Sequence, residues 1–96
     1  MVRHIVLFRL KDKSPENLEK TAEVLRSMAG KIEGMTAQEV GIDFLRSERS
    51  HDIALSALFA DRAALDAYQT HPLHLKVKEH IHAVRESSWS ADYDVE

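Results

Sequence analysis

Apolar residues along this chain follow two rhythms, one of strands and one of helices. His4-Ile5-Val6-Leu7-Phe8 is rich in branched and aromatic side chains and reads as a strand. Ser14-Pro15-Glu16 opens a helix, with a hydroxyl cap, proline at the first position and an acid in the first turn. Leu18, Ala22, Leu25, Met28 and Ile32 then recur at helical spacing, and Gly30 and Gly34 mark the end. Val40, Ile42 and Phe44 alternate in a second strand over residues 35–45. The charged residues 46–50 form a hairpin loop, and residues 52–60 a third strand. Asp61 caps a helix with Ala64, Leu65 and Tyr68 on one face. A further helical piece after Pro72 carries Leu73, Val77 and Ile81 in register. The last strand covers residues 84–95, where Trp89, Ala91, Tyr93 and Val95 alternate. The order β-α-β-β-α-β is the ferredoxin-like arrangement of the α+β class, a four-stranded antiparallel sheet with its helices on one face. No repeat or linker interrupts it, so residues 1–96 are expected to form one domain.

Two strands depart from the pattern of a half-wet sheet. His4, Val6 and Phe8 point one way and Ile5 and Leu7 the other. Ile53, Leu55, Ala57 and Phe59 share a face, while Ala54 and Leu58 share the opposite one. Antiparallel sheets with one solvated face alternate apolar with polar. Here both faces are apolar, and the helices cover only one. Ile5, Leu7, Leu58, Trp89 and Tyr93 would together form a patch of the kind found at interaction sites. Burying each large side chain is worth roughly 1.5–3 kcal/mol. A homodimer, sheet against sheet about a two-fold axis and closing into a barrel, is the simplest arrangement that covers them. The alternative is a monomer that tolerates the patch.

Composition narrows the function classes. Hydrophobic content of 44% and charged content of 30% are ordinary for a soluble domain. The formal charge is −3 and the basic residues are scattered, which argues against a nucleic-acid partner. No apolar run reaches the ~20 residues of a membrane helix, and the N-terminus lacks the pattern of a signal peptide. The absence of cysteine excludes disulfides and thiol chemistry and fits a cytoplasmic location. The three glycines form no phosphate-binding loop, and no serine has the context of a nucleophile elbow.

Chemistry concentrates in Tyr68-Gln69-Thr70-His71-Pro72-Leu73-His74. Proline fixes its own φ and displaces the preceding residue from helical geometry. A helix carrying Tyr68 should therefore end near His71, and another begin at Pro72 with His74 in its first turn. The structural reading is a rigid helix break, with Tyr68 in the core and His74 at a cap. The functional reading is a pocket corner, where a neutral imidazole accepts a proton and a phenol donates a hydrogen bond to a carbonyl or enolate oxygen. His4 would face this corner from the first strand, either as a pocket residue or as an imidazole bonded to backbone. His71, His74, His80 and His82 could supply two metal ligands at helical spacing, but a site needs three or four, so none is expected.

The chain resembles the stress-responsive α/β-barrel domain (Dabb) family over nearly its whole length. The resemblance rests on Arg3-His4-Ile5-Val6-Leu7-Phe8-Arg9-Leu10-Lys11, on Phe59-Ala60-Asp61, on Asp92-Tyr93 and above all on the Tyr68 to His74 motif. It implies a dimeric α+β barrel. The family includes stress-associated proteins without a settled activity and a plant polyketide cyclase that works without metal or cofactor. Matched by position, His74 falls on that cyclase's base, Tyr68 on its hydrogen-bonding tyrosine and His4 on a cavity histidine. With the residues that strand alternation turns toward the helices, the expected ligand-facing set is His4, Val6, Phe8, Leu55, His71, Ser88 and Ser90, with no cofactor. Ser88 and Ser90 depart from the cyclase's bulky apolar wall and disfavour long-chain polyketides. Three functions follow as alternatives: a small-molecule binder with acid–base chemistry of the lyase or cyclase kind, a non-enzymatic stress or assembly protein, and a cofactor-free monooxygenase. Open volume between His4, Tyr68 and His74 would favour the first; a filled core would favour the second.

Overall fold

The computed structural model describes residues 1–95; Glu96, part of the expected domain, lies outside the described residues. The elements are β1 (Val2–Leu10), α1 (Pro15–Arg26), β2 (Met35–Ile42), β3 (Ile53–Phe59), α2 (Arg62–Gln69), α3 (Pro72–Val84) and β4 (Arg85–Asp94). The strands form one antiparallel sheet in the order β2-β3-β1-β4.

Each helix begins where its cap residue dictates. Ser14 Oγ accepts the Asn17 N–H at 3.3 Å, and Asp61 Oδ1 accepts the Ala64 N–H at 2.8 Å. His71 Nδ1 accepts the Leu73 N–H at 3.1 Å, so the residue before Pro72 is a cap that separates α2 from α3.

The helix side of the sheet holds the core. Phe8, Ile53, Leu55, Ala57 and Phe59 are buried there against Leu18, Leu25, Val77 and Ile81. The opposite face carries Leu7, Trp89 and Tyr93, which remain 36%, 67% and 48% exposed. Both faces of the central strands are thus apolar, as their alternation implies.

Two boundaries differ from the hydrophobic pattern. α1 stops at Arg26, although Met28 and Ile32 are buried at the expected helical spacing. Successive turns, including Ala29 N–H to Arg26 O at 3.0 Å and Lys31 N–H to Met28 O at 3.1 Å, lower both side chains onto the core without a helix. β2 stops at Ile42, and Phe44 is 91% exposed. Asp43 accepts the Arg46 N–H at 2.8 Å, and Arg46 takes a left-handed φ of 55°, so a tight turn carries the chain off the sheet before Phe44 can pair.

Asp52 fastens that end of the sheet. Its side chain is buried, accepting the Leu10 N–H at 2.7 Å and an Arg46 guanidinium N–H at 2.6 Å, with Lys13 Nζ at 3.4 Å.

Gly34 is required where the chain enters β2. Its φ is +87°, and a Cβ there would lie 2.6 Å from Ala64 Cβ. Gly34→Ala should lower stability by about 2 kcal/mol, combining left-handed strain with displacement of α2. A urea melt would show this as a lower midpoint at unchanged slope; an unaltered midpoint would mean that α2 shifts freely.

Candidate functional site

The helix break at Pro72 turns the chain so that the last turn of α2 and the first turn of α3 face the end of β1. Tyr68 is buried, and its ring stacks on that of His74, with centroids 4.0 Å apart and planes at 28°. His4 meets the Tyr68 ring edge-on at 5.9 Å. A phenol and two imidazoles therefore share one corner.

The corner opens into a cavity of about 270 Å³ between the sheet and α3. Val6, Phe8 and Leu55 form its floor, Leu25 and Met28 one end, and Val77 and Ile81 its roof. Ser88 and Ser90 line the β4 side. An apolar floor and roof with converging polar groups around them suit a small-molecule site, and this one falls just below the roughly 300 Å³ lower bound of such sites.

Hydrogen bonding selects the tautomers. The Gln69 carbonyl, 3.3 Å from His74 Nδ1, can only accept, so Nδ1 carries the proton and Nε2 keeps a lone pair. His4 Nδ1 likewise donates to Asp92 Oδ1, which leaves His4 Nε2 unprotonated in the neutral ring. Burial lowers the His74 pKa below the usual imidazole value of 6.5, and Lys78 and His4 lower it further, against the raising effect of the Gln69 carbonyl. Burial also pushes the Tyr68 phenol up to about 12, with no hydrogen bond contributing. Near neutrality His74 is a neutral acceptor and Tyr68 a protonated donor.

Most of the sequence-derived site converges here: His4, Val6, Phe8, Leu55, Tyr68, His74, Ser88 and Ser90 all line the cavity. His71 does not. Its ring is committed to the Leu73 N–H as a helix cap and is absent from the lining, because the proline break that brings His74 inward turns the preceding residue outward. His4 bonds to a carboxylate rather than to backbone. Among the described residues, no three His, Asp or Glu side chains come together as a metal site.

Five polar lining residues lie outside the expected set, among them Gln69, whose carbonyl accepts from His74. Asp92 lies directly opposite His4 across the β1–β4 ladder and follows Ser88 and Ser90 at period two. Lys78 and His82 continue from His74 at steps of four along α3, and Arg85 begins β4. Both periodicities are visible in the sequence once His74 and Ser88 are placed.

Comparison with known proteins agrees with this architecture. The family model described as Stress responsive A/B Barrel Domain matches residues 2–95. An uncharacterized protein of Streptomyces coelicolor is 30% identical over 77 residues, covering 77% of this chain and 79% of its own. A Dabb family protein with a ferredoxin-like fold from Mesorhizobium loti is 29% identical, with a TM-score of 0.81 over 99% of this chain and 96% of the other. A dimeric protein of unknown function and ferredoxin-like fold from Bacteroides fragilis is 28% identical, with a TM-score of 0.82 over 98% and 95% of the two chains.

Proposed function

Because the chain belongs to the stress-responsive A/B barrel domain family, we propose that it is a homodimer binding a small carbonyl compound in the cavity of each subunit and exchanging protons with it. One observation carries this function: the stacked Tyr68 and His74 rings open onto a cavity with an apolar floor that His4 completes. A protein serving assembly alone has no need of that volume, and the unpaired donor and acceptor are suited to a ligand.

The chemistry follows from the two groups. His74 Nε2 takes a proton from the carbon beside the carbonyl, and the electron pair moves onto oxygen as an enolate. The Tyr68 hydroxyl donates a hydrogen bond to that oxygen as its charge grows. Return of the proton from His74 completes the exchange. His4, held by Asp92, orients the ligand from the opposite wall.

The dimer is supported by the apolar outer face of the sheet and by the dimeric state of the Bacteroides fragilis protein. Among the described residues no helix is long and apolar enough to cross a membrane. The cysteine-free chain suits a reducing cytoplasm, where we place it.

Deuterium exchange at the methyl group of acetophenone, followed by proton NMR in heavy water, tests the chemistry. His74→Ala should slow protein-catalysed exchange about a hundredfold and Tyr68→Phe about tenfold. Both variants should stay folded, since the phenol makes no protein hydrogen bond and His74 is only half-buried. Exchange at the wild-type rate in folded His74→Ala would refute the assignment.

The pH profile is a separate check. The base must be neutral, and its pKa is lowered, so activity should persist as pH falls through 6.5 and decline only below it. Loss on the alkaline side should wait for Tyr68 to ionise, at about 12. An acid limb centred above 6.5 would show that His74 is not the titrating base.

A further inference from the structure

The cavity is asymmetric in charge. Beside the Tyr68–His74 corner and the apolar floor, its lining carries Lys78 and His82 from α3 and Arg85 from the start of β4. We propose that the ligand is an organic anion, a small carbonyl compound whose carboxylate is held between Lys78 and Arg85. This substrate class rests on the carbonyl-binding corner proposed above.

Three observations support it. Among the described residues, no carboxylate forms an ion pair with Lys78 or Arg85. The single carboxylate in the lining, Asp92, is already paired with His4. Arg85 Nη1 donates to Ser88 Oγ at 2.7 Å, which fixes the guanidinium beside the β4 wall and leaves its other donors free. Two basic side chains and the Ser90 hydroxyl therefore line one small volume with no neutralising acid of their own. Arg85 also caps the carbonyl end of α3, a favourable place for a cation, but that role does not account for Lys78, two turns earlier in the middle of α3. A carboxylate matches the planar fork of Arg85 and the point charge of Lys78.

The ligand thus has two ends. Its carbonyl reaches Tyr68 and His74, its carboxylate reaches Lys78 and Arg85, and a short chain or single ring lies against Val6, Phe8 and Leu55. Ser88 and Ser90, unsuited to an alkyl tail, then fit as hydrogen-bonding flanks of the anion.

The test uses 3-benzoylpropionate and its neutral amide, titrated by NMR into the full chain. The acid should bind about tenfold more tightly than the amide, and added salt should shrink that preference. In the variant carrying Lys78→Gln and Arg85→Gln the preference should vanish while amide affinity is retained. His74→Ala should weaken acid and amide alike. Equal wild-type affinities, or a preference that survives loss of both cations, would overturn the anion assignment and leave the carbonyl corner standing. A preference kept together with affinities indifferent to both His74→Ala and Tyr68→Phe would instead overturn the corner. Absence of binding by either probe would overturn both.

Discussion

Trp89→Glu should raise the dimer dissociation constant about a thousandfold and leave the subunit folded. Trp89 lies on β4 directly opposite Leu7 of β1, and Leu7 lies opposite Ala54 of β3. These residues form an apolar row across the outer face of the sheet. Ile5 and Ala91 form part of the next row, and Tyr93 follows along the same face of β4. Trp89 is the most exposed of the large residues there, at 67% in the isolated subunit against 36% for Leu7 and 48% for Tyr93, so it has the most surface to lose on pairing. A buried interfacial tryptophan is typically worth 2 kcal/mol or more, and a two-fold axis counts the substitution twice, giving about 4 kcal/mol. Sedimentation equilibrium at micromolar concentration reads this directly. A wild-type chain that sediments as a monomer, or a Trp89→Glu chain that remains paired, would show that another surface joins the subunits or that none does. Circular dichroism should be unchanged, because Trp89 packs against nothing on the helix side.

Asp52→Ala should cost about 3 kcal/mol of stability, a large part of the 5–15 kcal/mol typical of a whole domain. The carboxylate is the common acceptor for the Leu10 N–H, the Arg46 guanidinium and the Lys13 ammonium. Its loss leaves a buried backbone N–H without a partner and releases the loop whose Arg46 holds a left-handed φ. The two cations are each more than 40% exposed and can return to water, which keeps the cost below that of a fully buried broken pair. Asp52→Asn should cost less, since an amide oxygen can still accept from Leu10. Burial alone would raise the Asp52 pKa, but the Leu10 N–H, Arg46 and Lys13 together hold it below 3.8. A lowered carboxylate favours the folded state above its unfolded value, so this stabilisation is complete above 3.8 and disappears as pH falls through the folded pKa. Urea midpoints across that window should converge for wild type and Asp52→Asn in acid. Parallel curves would place the stabilisation in geometry alone.

The sequence disclosed the sheet, its two apolar faces and the helix break because each rests on local rules. Alternation assigned His4, Val6 and Phe8 to one side, and Pro72 forced the bend that brings Tyr68 and His74 together. Residues whose role depends on pairing between distant segments were harder to read. Asp52 appears as the polar start of a strand until Leu10, forty-two positions away, is known to donate to it. Asp92 becomes a site residue only through a β1–β4 register that sets it beside His4. His71 stands in the motif that carries Tyr68 and His74, but cap geometry commits its ring to the Leu73 N–H, a role that the sequence spacing alone does not reveal. Phe44 continued an alternation that the Asp43–Arg46 turn cut short.

The ten residues of β4 serve two surfaces at once. Ser88, Ser90 and Asp92 line the cavity, and Trp89 and Tyr93, interleaved with them, line the outer face. Beyond the irregularity at Glu86, side chains alternate from Ser87 to Asp94, so inserting or deleting one residue in that stretch would exchange the two sets. Tryptophan would fill the cavity while serines occupied the outer face, undoing the proposed ligand site and the proposed subunit interface in one event. Evolution can therefore revise this strand by replacing letters but not by adding or dropping one, and families of such barrels should keep its length while varying its composition.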